Sequence, residues 1–245
     1  MSKIFITGSS DGLGLLSAQA LAKRGHAVTL HARNESRAAD VLVADLASLE
    51  ETKRLAAQLN ERGPWDAVVH NAGIMTRRPG GGGGGGGGDK KNELFAVNTL
   101  APYVLTCLVR PPAGRYVFLS SSMHVGGDAS LRDVEGAGYS DTKLHNVMLA
   151  KWFARRLEGV DCSSMDPGWV PTKMGGAGAT DDIGKSVATY VLLAEGAAAE
   201  VKEAGAGSYW RDSRVKAPIA AAGDEAMQDR LVEMLKGISG VLPPE

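Results

Sequence analysis

The feature that most constrains this chain is its opening, a strand that breaks into a glycine turn and runs on as a helix. Lys3-Ile4-Phe5-Ile6-Thr7 is a branched, apolar run of the kind that forms a buried strand. It ends in Gly8-Ser9-Ser10-Asp11-Gly12-Leu13-Gly14, after which Leu15, Leu16, Ala18, Leu21 and Ala22 supply an apolar, small-residue helical face. Glycine lets the backbone approach an anion closely, and the first turn of a helix offers unbonded N–H groups at the positive end of its dipole. Strand, glycine turn and helix in this order suit a pyrophosphate, which makes Gly8, Ser10, Asp11, Gly12, Leu13 and Gly14 candidate dinucleotide contacts. The spacing is G-x-x-x-G-x-G, not the G-x-G-x-x-G of many dinucleotide enzymes.

A second strand, Ala27 to His31, delivers Arg33 and Asn34 to the place where doubly wound folds hold the adenosine ribose. An acidic residue there suits a ribose 2′-hydroxyl, whereas a guanidinium matches a 2′-phosphate bidentately, so Arg33 argues for NADP(H) over NAD(H). A third strand, VLVADL, carries Asp45 and Leu46 at its end, and the Asp45 carboxylate could accept from an adenine amino group. A helix over Leu49 to Asn60 and a strand over Asp66 to His70 complete the first half and lead into Asn71-Ala72-Gly73. Strands alternating with helices call for an α/β fold, a doubly wound parallel sheet (Rossmann fold) covered on both faces, with the ligand at the carboxyl ends of the strands.

In the second half, Tyr139 and Lys143 stand one helical turn apart in YSDTK, behind the serine cluster Ser120 to Ser122. A cation beside a phenol favours the phenolate and lowers a pKa that is otherwise near ~10, so the pair suits a proton donor and acceptor. Alone, the pair equally describes a surface tyrosine packed over a lysine stem; the accompanying motifs shift the weight.

Taken together, these motifs resemble the short-chain dehydrogenase/reductase family over nearly the whole chain. TGSSDGLG at Thr7 to Gly14 is similar to the family's TGxxxGxG, and HNAG at His70 to Gly73 to its NNAG. FAVN at Phe95 to Asn98, the serine cluster, YSDTK and DPGWVPT at Asp166 to Thr172 follow in the family's order. Arg33 and the histidine near the serines, His124, resemble the NADP-dependent, retinol-dehydrogenase-like branch. The resemblance implies a carbonyl/alcohol oxidoreductase with four catalytic residues. Tyr139 would be the general acid/base, and Lys143 would lower its pKa while binding the nicotinamide ribose. Asn98 would hold a relay water, and Ser121 would bond the substrate oxygen. Ser121 is chosen by the register of RYVFLSS, Ser120 and Ser122 facing the other way if the strand continues. Asn71, Ala72 and Gly73 join the cofactor contacts, as do Tyr139 and Lys143. Pro167, Gly168, Val170 and Thr172 would meet the nicotinamide amide. Trp169 and Met174, beside that segment, either wall a substrate pocket or belong to the core. About seven strands are implied, the last near Ser208 to Arg211 before a helix from Asp224 to Lys236.

Three departures stand out. Gly80 to Gly88 is an unbroken run of nine glycines, expected to be a flexible surface loop within a single domain spanning 1–245. It reads as an engineered linker or as a loop whose true residues were not established, and it leaves homodimer, homotetramer and monomer all open. The connection from Ser121 to Tyr139 has a length of its own and reads as a loop beside the site. Position 70 carries histidine where asparagine is commoner.

A net charge of −1 makes no electrostatic case for nucleic acid or an anionic membrane. No apolar run approaches the ~20 residues of a membrane helix, no signal peptide precedes the first strand, and the reading is cytoplasmic. Cys107 and Cys162 have neither metal-site nor redox-pair spacing, the five histidines form no cluster, and no metal is expected. His124 is the one histidine to test for substrate contact; packing accounts for the others. The expected partner is a small-molecule carbonyl or alcohol. Two rivals share parts of the pattern. A non-catalytic NADP(H)-binding redox sensor would normally lack the tyrosine and lysine, and a methyltransferase would need neither YSDTK nor Arg33.

Overall fold

The computed structural model describes residues 1–34, 41–75, 93–110 and 113–244; the glycine run, with Arg77-Arg78 and Lys90-Lys91, lies outside the described residues. The strands are β1 (Lys3–Ile6), β2 (Ala27–Ala32), β3 (Val41–Val43), β4 (Ala67–His70), β5 (Arg115–Leu119), β6 (Asp161–Met165), β7 (Tyr209–Arg211) and β8 (Arg214–Lys216). They form one sheet in the order β3-β2-β1-β4-β5-β6-β7-β8, parallel throughout except for the antiparallel β7–β8 pair. The strand order reverses between β1 and β4, which opens the crevice where doubly wound sheets take ligands.

The period of two in the strands builds two cores from one sheet. Phe5, Val68, Tyr116, Phe118 and Cys162 face one cluster, while Ile4, Ile6, Ala67, Val69, Val117, Leu119 and Met165 face the other. The first cluster is covered by α2 (Leu49–Arg62), α4 (Ala101–Leu108), α5 (Tyr139–Arg156) and α8 (Glu225–Ser239). The second is covered by α1 (Gly12–Lys23) and α6 (Ile183–Glu195), with the short α7 (Ala199–Ala204) beside them. A strand buried on both faces has no solvated side, which is why these runs read as continuously apolar. The short α3 (Glu93–Phe95) passes through a π-helical turn, Ala96–Leu100, into α4.

Sequence-derived bounds shift at the ends. The third strand closes at Val43, the helix expected to stop at Asn60 runs to Arg62, and the last helix runs to Ser239. The sheet has eight strands where about seven were expected. The extra strand, β8, is three exposed residues and carries no apolar alternation to reveal it. It returns from β7 through Asp212 (φ 51°) and Ser213 (φ 56°), a two-residue loop left-handed at both positions, as tight hairpins require. Both cysteines are buried and unpaired with each other. Among the described residues no helix is long and apolar enough to cross a membrane, and no group of three His, Cys, Asp or Glu could hold a metal ion.

Phe118 is fully buried between His70 (centroids 4.8 Å apart) and Phe153 (6.1 Å, near-parallel). Phe118→Ala should lower unfolding stability by about 3–5 kcal/mol, measured by urea denaturation. A loss under 1 kcal/mol would show that this layer repacks freely.

Candidate active site

A cavity of about 630 Å³ opens at the carboxyl ends of the strands, across the switch point. Its floor at one end is the glycine turn. Gly8 sits at φ +60°, and a Cβ there would lie 2.8 Å from the Ala72 Cα; a Cβ on Gly14 would lie 2.5 Å from the Asn71 amide nitrogen. Glycine is required at both positions because the Asn71-Ala72-Gly73 segment presses directly on the turn. Asn71 Nδ2 donates to the carbonyls of Thr7 (2.8 Å) and Gly8 (2.9 Å), and the Ala72 N–H donates to Thr7 Oγ1 (2.9 Å). Asn71 thus walls the cavity while its amide holds the turn together.

From the other side the turn is stitched to β2 by His31, a residue for which packing had seemed explanation enough. The Gly8 N–H donates to His31 Nδ1 (2.9 Å), so the proton sits on Nε2, which donates to the Ala44 carbonyl (3.0 Å). Ser9 Oγ accepts from the His31 N–H (2.9 Å). Burial pushes the imidazole down to about 4, so it stays neutral. His31 lies on the cavity wall as well. The available signal was its place two residues before Arg33.

The turn can hold an anion. Asp11 is the N-cap of α1 yet its side chain accepts no capping bond, the first helical turn carries no acid, and the leading N–H groups of a helix have no partner within it. A Cβ on Gly12 (φ +58°) would meet nothing closer than Thr172 at 3.9 Å. Arg33, exposed, lies on the wall at the β2 end, with Asp45 and Leu46 beyond β3. Asp45 Oδ1 accepts from the Ala47 N–H (3.1 Å). These residues fit a dinucleotide with its diphosphate at α1 and its adenosine toward β2 and β3. Asn34, next to Arg33, is exposed and off the wall.

At the other end stand Ser121, Tyr139 and Lys143. Strand β5 stops at Leu119, one residue before the serines, so strand alternation no longer governs them. Ser120 Oγ turns inward to donate to the Lys143 carbonyl (2.8 Å), whereas Ser121 caps a 3-10 turn over Ser122–Gly126, its hydroxyl accepting from the Met123 N–H (3.2 Å), and shares the cavity wall with Tyr139. Ser122 also borders the cavity, which corrects the expectation that it faces away. Tyr139 is the first residue of α5 and Lys143 lies one turn on, its Nζ 5.4 Å from the phenol ring centroid and donating to the Leu119 carbonyl (2.9 Å).

The electrostatics differ from the sequence expectation in one respect. Burial raises the Tyr139 pKa, only partly offset by the Ser121 hydrogen bond, and the Asp166 charge raises it further. Lys143, buried, is itself pushed down to about 8 by desolvation. Desolvation, not the neighbouring ammonium, therefore dominates the phenol's pKa. Asn98 sits behind Lys143 in the π turn, fully buried. Its Nδ2 donates to the Ile74 carbonyl and to Thr142 Oγ1, and its Oδ1 accepts from the Ile74 N–H. The side chain is committed at both ends and lies off the wall; a Cβ on Gly73 would lie 3.4 Å from both its Oδ1 and Lys143 Nζ.

Pro167, Gly168, Val170 and Thr172 form the wall after β6. This segment is clamped in a way the sequence did not reveal. Arg211 donates to Asp166 Oδ2 (3.0 Å) and Asp181 Oδ2 (2.9 Å), Asp166 Oδ1 accepts from the Gly168 N–H (2.9 Å), and Asp181 Oδ2 accepts from the Trp169 N–H (2.7 Å). Lys173 pairs with Asp11 across the cavity mouth, joining this segment to the glycine turn. Arg211, Asp181 and Lys173 are far apart in sequence from what they hold, and no local pattern marks them. His124, the histidine to test for substrate contact, is instead buried off the wall. It accepts from the Ile219 N–H at Nε2 (3.0 Å) and donates from Nδ1 to the Ser121 carbonyl (2.7 Å), which anchors the serine turn.

Residues 2–182 match the sequence model described as short chain dehydrogenase. The chain is 43% identical over 259 residues to an uncharacterized oxidoreductase of Emericella nidulans, covering 100% of this chain and 99% of the relative. It is 35% identical to the short-chain dehydrogenase chyC of Penicillium rubens, with 100% of both covered. The fold is similar to that of the NADPH-bound carbonyl reductase from chicken fatty liver, at a TM-score of 0.64 and 21% identity, covering 89% of this chain and 99% of that one.

Folding lowers the proton affinity of Lys143, so from about pH 8 up to the ordinary lysine value of ~10.4 the unfolded chain binds more protons and stability rises with pH. In Lys143→Met this contribution should vanish, giving a variant as stable as the wild type or more so near pH 7. Parallel pH–stability curves for the two proteins would show the ammonium is not desolvated.

Proposed function

From the premise that this chain belongs to the short-chain dehydrogenase family and is an oxidoreductase, we propose that it interconverts a carbonyl and an alcohol by hydride transfer with NADP(H). The observation that carries the proposal is that Ser121, Tyr139 and Lys143 share one cavity wall, with the Lys143 ammonium 5.4 Å from the Tyr139 ring centroid, in the cavity that also holds the N-terminus of α1.

The dinucleotide, when bound, supplies the hydride that reaches the carbonyl carbon. The chain's own residues do the rest. Ser121 and Tyr139 both donate to the substrate oxygen, where negative charge develops as the carbonyl is reduced. Tyr139 gives its proton to that oxygen; its raised pKa keeps the phenol protonated, as reduction needs. Lys143 supplies positive charge beside the phenol, which stabilises the tyrosinate left behind. With the Asn98 side chain fully engaged, a water passing protons onward from Lys143 would be held by the Asn98 main chain in the π turn. The same groups in reverse serve alcohol oxidation. Arg33, on the cavity wall beyond β2, supports preference for NADP(H), since a guanidinium suits bidentate binding of a ribose 2′-phosphate. Solved structures of this fold include a carbonyl reductase with NADPH bound, which agrees with the reading.

Tyr139→Phe should lower turnover about 10²- to 10⁴-fold while leaving the NADPH dissociation constant within about twofold, because the phenol acts on the substrate oxygen. Retained turnover in steady-state assays of carbonyl reduction would remove Tyr139 from the mechanism. Arg33→Ala should weaken NADPH by at least about tenfold and leave NADH unchanged. Fluorescence titration of both cofactors checks this, and equal wild-type affinities would dismiss the 2′-phosphate role.

A further inference from the structure

Of the four tryptophans, Trp65, Trp152 and Trp210 are almost wholly buried, while Trp169 is 55% exposed. An exposed aromatic side chain is normally free to move, but this one is fixed. Its indole Nε1 donates to the Gly175 carbonyl (2.8 Å), its N–H donates to Asp181 Oδ2 (2.7 Å), and its carbonyl accepts from the Asp181 N–H (2.9 Å). A Cβ on Gly178 would lie 3.7 Å from Cη2 and 3.8 Å from Cζ2. The ring edge running from Nε1 to Cη2 is therefore seated on the loop 175–178. With that edge seated, Trp169 keeps more than half of its surface open and lines the cavity.

Topology places this plate at the reacting end of the cavity. Trp169 leaves the sheet after β6, and Ser121 and Met123 leave it after β5, the two strands being paired with Leu119 opposite Met165. The glycine turn leaves β1, with β4 and β5 between it and β6. Met75, Met123 and Met174 share the wall with Trp169 and are each 41–49% exposed. Thioethers are polarisable, adapt their shape and make favourable contacts with rings. Among the described residues the acids on the cavity wall are Asp11 and Asp45, both at the dinucleotide end, and Lys173, also on the wall, is paired with Asp11. Among the described residues this end thus offers a fixed π face, three soft side chains and no carboxylate on the wall, the nearby Asp166 and Asp181 both being paired with Arg211.

We propose that the substrate is an uncharged, flat carbonyl compound, aromatic or conjugated, that stacks on the face of Trp169 while its oxygen meets Ser121 and Tyr139. The proposal rests on the carbonyl-reduction reading above and adds the substrate class. Stacked rings gain over an aliphatic neighbour of equal area because offset π faces attract.

The test uses two aldehydes of equal carbon skeleton, benzaldehyde and cyclohexanecarbaldehyde, with NADPH. In Trp169→Ala the ratio of their kcat/KM values should shift against the flat aldehyde by about fivefold or more, and Trp169→Phe should keep most of the wild-type ratio. NADPH affinity should stay within about twofold in both variants. A second readout needs no turnover: in the Tyr139→Phe protein with NADP⁺, benzyl alcohol should shield the exposed tryptophan from acrylamide quenching more than cyclohexylmethanol does. An unchanged ratio with turnover present, or equal shielding by the two alcohols, would overturn the stacking role. A large loss of NADPH affinity in Trp169→Ala with the ratio unchanged would do so too, by showing that the indole covers the cofactor instead. Absence of NADPH-dependent reduction of either aldehyde would count against the carbonyl-reduction reading, and the quenching comparison would then judge the plate on its own.

Discussion

Everything at this site depends on how closely two turns can approach at the switch point. The first turn follows β1 and the second follows β4, and these neighbouring strands deliver them to the same level. Contact at Gly8 and Gly14 leaves no room for a side chain on either, because Ala72 and the Asn71 amide occupy that space. Hydrogen bonds from Asn71 and Ala72 then hold Thr7 and Gly8, so the steric fit and the polar bonds fix the same geometry. His31 closes the third side with a proton arrangement that works only for a neutral ring. The two glycine-bearing motifs, far apart in sequence, are one mechanical unit, and the N-terminus of α1 is aimed by it.

At the opposite end of the cavity the governing quantity is desolvation. An ammonium one turn from a phenol suggests simple Coulombic acidification, yet both groups are withdrawn from water and each is penalised for its charge. Tyr139 rests as a phenol and Lys143 as an ammonium whose proton is held less tightly than usual. Asp166 contributes charge to both, and Arg211 holds Asp166 in place while keeping its carboxylate paired. The clamp that shapes the wall after β6 is therefore also part of the electrostatic setting of the proton donor.

The fold was legible because its signals are local and repeated. Apolar runs such as KIFI and AVVH alternate between two cores, and a glycine turn follows the first strand. Most of the residues proposed from short motifs line the cavity, while Asn34, Asn98 and His124 lie off its wall. What stayed hidden acts across distance. Arg211 reaches Asp166 and Asp181 from another strand, Lys173 reaches Asp11 over the cavity mouth, and His31 serves a turn more than twenty residues earlier. Sequence shows such residues as ordinary charges or packed rings, since nothing local distinguishes them. Ser122 was misjudged for a related reason: the strand ended one residue before the serines, and the alternation rule ended with it. β8 escaped notice because an exposed three-residue edge has no hydrophobic pattern.

That edge strand carries a consequence for assembly. β8 forms one border of the sheet, and an edge strand is the natural template onto which a neighbouring chain could add. Two of its three residues are Arg214 and Lys216, both exposed. A second copy continuing the sheet antiparallel about a two-fold axis would crowd these cations against their own counterparts. Like charges on this edge oppose ribbon-like pairing of two chains through β8.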